Sequence, residues 1–143
     1  MKTLKINEDI DIETHLNIIQ SIIQRMASNS ASCKSWCITI VSAILVIIGD
    51  KGQSQLALIA IIPTLLFFIL DTYYLSLEKM FRKSYNIFIK KVHKDKLKIS
   101  DFYSVKPTGC LLKEFGKSIF SFSILPFYTI IIIMIFILKN IIS

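Results

Sequence analysis

The chain has 143 residues, 53% of them apolar, and a formal charge of +7. That length is one domain's worth, and so large an apolar share, gathered into long runs, argues against a soluble globular domain. Four glycines and three prolines leave little for turn-rich β architecture.

Residues 8–30 are predicted to form an amphipathic helix. Asn7 is placed to cap it, and Glu8, Asp9 and Asp11 fall where the helix dipole favours anions. Ile12, Leu16, Ile19, Ile23 and Met26 step by four, three, four and three, the spacing of a coiled-coil seam. This seam is read as a contact between copies of the chain.

Residues 34–49 form the first predicted span. Sixteen residues cover about 24 Å, slightly short of a hydrocarbon core of roughly 30 Å. The uncharged stretch Ala27–Cys33 extends it, with Lys34 snorkelling and Trp36 at the interface. Residues 50–55 make a polar turn. Residues 56–77 form the second span, with a kink expected at Pro63.

No breaker follows, so this helix is predicted to run out of the membrane to about Lys96. Its emergent part is basic: Lys79, Arg82, Lys83, Lys90, Lys91 and Lys94 surround an apolar line of Leu77, Phe81, Tyr85, Phe88 and Val92. Ser100–Gly109 contains Pro107 and Gly109 and reads as a loop. Leu111, Leu112, Phe115 and Ile119 suggest a short interfacial helix leading into the third span, residues 119–138, which is free of charge. The expected fold is thus an all-α integral membrane protein: three transmembrane helices, an amphipathic N-terminal helix, and a basic cytoplasmic segment over 78–118. Residues 1–143 are one membrane domain.

The charge is uneven. Residues 76–118 carry eleven Lys or Arg against four acids, whereas the acids and bases of residues 1–36 cancel. The positive-inside rule therefore puts the basic segment and the N-terminus in the cytoplasm, and the C-terminus in the periplasm of a bacterial inner membrane. No cleavable signal peptide is visible, because the first apolar run starts late and follows an acidic stretch.

Catalysis finds little support. His15 and His93 lie apart with no ligand spacing around them, and no phosphate loop or nucleophile elbow is present. Neither a metal nor a cofactor is expected. Cys33, Cys37 and Cys110 read as reduced packing residues. Asp71 is the sole carboxylate at membrane depth, at the cytoplasmic boundary, and is open to a structural or a gating role. Ser28, Ser32, Ser35, Thr39 and Ser42 form a stripe of small hydroxyl residues continued by Val46. It serves either close helix packing or the lining of a water-filled path. The basic helix suits anionic lipids. A phosphate-bearing ligand or nucleic acid is the other possibility, although no nucleic-acid module accompanies Tyr85, Phe88 and Tyr103.

Two stretches carry a family resemblance. They are Asn17–Trp36 (NIIQSIIQRMASNSASCKSW) and Asp71–Tyr85 (DTYYLSLEKMFRKSY). With the helix–hairpin–basic helix order, residues 10–95 resemble the SLATT-type membrane effectors of bacterial conflict systems. The resemblance implies a homo-oligomer that perturbs the inner membrane when a soluble sensor or nucleotide-signalling partner reports infection. It brings no catalytic residues. The alternative is a non-enzymatic anchor or sensor subunit that recruits a soluble defence partner through the basic surface.

Overall fold

The structure is a computed structural model that describes the backbone of residues 2–52, 54–102 and 105–142. Side chains are described for residues 11–52, 55–98, 100–102 and 105–141. It is all-helical, with no strand among the described residues.

Helix α1 runs unbroken over Lys2–Lys51. The predicted amphipathic helix and first span are therefore one rod, and Asn7 lies inside it rather than at a cap. The reason is local: no glycine or proline occurs before Gly49 to stop the helix. Gly52, at φ +62°, ends it in the left-handed conformation that glycine tolerates best.

The chain reverses through a 3-10 helix, Ser54–Ala60, before α2, Ile61–Val92. The second apolar run thus becomes α-helical later than position 56. Pro63 falls in the first turn of α2, where a missing N–H needs no acceptor, so it starts the helix rather than kinking it. As expected, α2 continues without a break from apolar into basic sequence.

Helices α1 and α2 are antiparallel and in register along most of their length. Ser30 meets Asp71, and the rings of His15 and Phe88 lie 4.4 Å apart. A single inward line on α1 makes this contact: Ile19, Ile23, Met26, Ser30, Cys33, Cys37, Val41, Leu45 and Ile48 are all buried. Ile19, Ile23 and Met26 of the apolar seam thus pack inside their own chain, while Ile12 and Leu16 are half-buried.

After a short α3, Ile99–Phe102, helix α4, Leu111–Ile119, lies antiparallel along α2. Its polar side faces the protein. Buried Glu114 pairs with Lys83, and buried Ser118 accepts a hydrogen bond from Lys79 at 3.1 Å. Leu111 and Leu112 are left exposed.

Residues 120–124 form a turn, and α5 spans Leu125–Ile142. The third apolar run therefore splits: Ile119 closes α4, and the helix resumes six residues later, with Pro126 in its first turn. Ile124, Tyr128, Ile131 and Ile135 pack onto Cys37, Val41, Leu45 and Ile48 of α1 and onto Ala57 and Ala60. One half of the molecule is consequently a three-helix bundle, and the other half is the α1–α2 hairpin braced by α3 and α4.

Two helices are long and apolar enough to cross a membrane. α5 is shorter, with an apolar stretch of Leu125–Ile141.

Candidate functional site

The apolar half of the bundle would be expected to contain no charge, yet it buries a carboxylate. Asp71 lies about a third of the way along α2 and is wholly inaccessible. Removing a carboxylate from water is tolerated only when it is paired and hydrogen-bonded. Both of its oxygens are satisfied, by groups from two other helices. The Ser30 hydroxyl of α1 donates to Oδ1. The Lys34 ammonium of α1 lies 2.6 Å from Oδ2, and the Tyr128 hydroxyl of α5 donates to the same oxygen at 3.1 Å.

The helix period explains the arrangement. Ser30 and Lys34 stand one turn apart, at the edge of the inward line of α1. The Lys34 ammonium also lies 3.4 Å from the Ser30 hydroxyl and 6.0 Å from the centre of the Phe127 ring. Tyr128 is braced edge-on by Phe68 at 5.4 Å and by Phe127 at 4.9 Å. Lys34 therefore turns inward to Asp71 rather than snorkelling. Its side chain is 20% exposed, against 0% for Asp71.

Hydroxyls continue the polar line on α2. Thr64, Thr72 and Ser76 are fully buried, and each donates to the carbonyl four residues earlier. Such bonds satisfy a hydroxyl within its own helix and leave it small enough for close helix approach. Cys33 and Cys37 are buried beside this line as free thiols, and Cys110 is free and exposed.

The stripe of Ser28, Ser32, Ser35, Thr39 and Ser42 lies on the opposite side of α1. All five are exposed, as is Val46. Ser35 and Thr39 return their hydroxyl hydrogens to carbonyls of their own helix. Around the stripe, the outer faces of α1, α2 and α5 are apolar: Trp36, Ile47, Ile62, Leu66, Ile133 and Ile141 are each at least half exposed. An exposed apolar band of this extent is foreign to a soluble monomer.

The basic face is more neutral than its composition suggests. Arg82 pairs with Glu78 at 2.8 Å, Lys83 with Glu114, and Lys91 with Asp101 at 2.7 Å. Lys83 and Lys91 hold the Glu114 and Asp101 carboxyls below the usual carboxylate range. Lys90 and Lys94 are exposed and have no ion pair among the described residues.

Sequence reading singled out Asp71 but not Ser30 or Tyr128, and it read Lys34 as snorkelling rather than as the partner of Asp71. Ser30 was hidden between the more regular Ser28 and Ser32, and Tyr128 inside the third apolar run. A signal was present: extending the seam phase from Ile23 and Met26 lands on Ser30 and Cys33. Among the described residues no group of side chains is arranged to hold a metal ion. No protein-family model, curated protein or solved structure matches the chain.

Proposed function

We propose that the chain is an oligomeric effector of the bacterial inner membrane. It permeabilises or depolarises that membrane in antiphage or abortive-infection defence, when a partner or signal releases it. The outward hydroxyl stripe from Ser28 to Ser42, set in an otherwise apolar outer surface, carries this reading. No described residue covers it, and in a bilayer small hydroxyl faces are used for helix–helix contact or for lining a path. The resemblance of residues 10–95 to SLATT-type effectors supports the same reading.

The apolar band supports the membrane placement. α5 lies beside the apolar parts of α1 and α2, which supports its crossing at the same depth as a third span.

The Lys34–Asp71 pair supplies a closed state. It ties three helices together through groups that cost little in water and much in a bilayer when separated. A trigger that binds an arrangement with this pair opened shifts the population towards it.

Induced expression in cells carrying a membrane-potential dye tests the proposal. Rapid depolarisation is expected on induction of the Lys34→Met variant, in which the buried pair is opened. A polarised membrane together with a co-purifying soluble protein would instead favour the anchor reading, for which exposed Lys90 and Lys94 offer a surface.

A further inference from the structure

Far from the buried pair, the hairpin holds a second unusual feature. His15 of α1 is 96% buried, yet its Nδ1 has no hydrogen-bond partner among the described residues. Buried polar atoms are nearly always satisfied, so an orphaned ring nitrogen asks for an account. Packing alone does not give one, because the imidazole does not sit in a closed core. It lines a cleft of about 190 Å³ between α1, α2 and the segment that follows α3.

The walls divide by chemistry. Ile19, Ile87 and Phe88 make an apolar inner surface, and the His15 ring leans on Phe88. The hydroxyls in the wall are already engaged: Thr108 and Ser84 share a hydrogen bond of 2.8 Å, and Ser84 reaches the Lys106 carbonyl at 2.7 Å. Asp101 is also spent, since it accepts from the Lys91 ammonium at 2.7 Å and from the Lys98 backbone at 3.1 Å. What remains unengaged is the His15 nitrogen within and positive charge at the mouth. Lys91 cancels Asp101 there, and Lys106 is exposed without an ion pair among the described residues.

We propose that this cleft is a binding site for a small organic anion built on a single ring. The apolar wall takes the ring, the His15 imidazole pairs with a polar group on it, and Lys106 attracts the negative charge. The size agrees: a cavity of about 150 Å³ holds benzene, so the cleft has room for one ring and a carboxylate. A lipid headgroup does not reach it. Phe88 lies seventeen residues beyond Asp71 on α2, about 25 Å past the edge of the apolar band. The site is independent of the membrane activity proposed above.

The full chain, labelled with ¹⁵N-histidine and held in detergent micelles, provides the test. It has two histidines, and His93→Gln identifies the His15 signals. Benzoate is the probe, with inorganic phosphate and benzyl alcohol as comparisons. Benzoate should move the His15 ring signals saturably, and each comparison should bind at least about tenfold more weakly. Lys106→Gln, at an exposed position that leaves the fold intact, should weaken benzoate about tenfold. Absence of saturation with benzoate would overturn the site. Equal binding of benzyl alcohol, or an unchanged affinity in Lys106→Gln, would overturn its preference for an anion.

Discussion

The partners of Asp71 differ in their access to water, and this makes their removal unequal. In Lys34→Met the carboxylate stays enclosed without its counter-charge, and stability in detergent should fall by about 3–5 kcal/mol. In Asp71→Asn the orphaned ammonium is partly exposed and the amide still accepts from Tyr128. The loss should be about 1–3 kcal/mol. The double variant should be more stable than the sum of the two losses allows, because the charges remove each other's penalty. SDS-denaturation midpoints of the three proteins measure the order. Equal losses in the single variants would mean that Asp71 reaches water and is not enclosed. At this scale the sequence showed the acid but not its setting. A lone carboxylate among apolar residues is conspicuous, whereas a serine, a lysine and a tyrosine are each ordinary until three helices bring them together.

Among the elements, the hairpin and the docking of α4 carry distinct expectations. Ile19 and Ile23 are buried against their own chain. Ile19→Asp with Ile23→Asp should therefore open the α1–α2 hairpin, at a cost of several kcal/mol, and expose α1 to limited proteolysis. Protease resistance matching the parent protein would show that this face is not packed within the chain. The α4 contact depends on pH. Lys83 holds the Glu114 carboxyl below its usual range, so the stabilisation is complete above that range and is lost as pH falls through the lowered value. A spin label on Cys110, the one exposed cysteine among the described residues, should gain mobility as pH falls below the usual carboxylate range, and Lys83→Gln should raise its mobility at neutral pH.

The element types were legible in the sequence because the apolar runs and their helical period are strong. The boundaries were less so. Pro63 and Pro126 lie inside apolar runs that hydropathy treats as uniform, but each sits in the first turn of its helix. Reading them as helix starts would have placed both boundaries. The absence of any break between residues 30 and 34 follows from the lack of a glycine or proline there, which polarity alone does not reveal.

At the scale of the whole molecule, the proposed membrane placement and the positive-inside rule together predict an orientation. A reporter fused after Lys96 should lie in the cytoplasm, and one after Ser143 in the periplasm. Both on one side would remove α5 from the membrane and leave a two-span hairpin. The all-helical architecture and its two long apolar helices were legible from composition and run length. The inward seam was legible as a pattern but not in its use, because periodicity states that a face is covered and not by what.

Ion leakage from proteoliposomes containing the parent protein, Lys34→Met, or Lys34→Met with Ser42→Leu tests most directly whether this chain opens the membrane. The account predicts tight vesicles for the parent protein and rapid leakage when Lys34→Met unfastens the buried pair. Adding Ser42→Leu should reduce that leakage while the protein remains oligomeric in the bilayer, since a larger apolar side chain on the stripe obstructs the path. Equally slow leakage from all three, with incorporation verified, would contradict it.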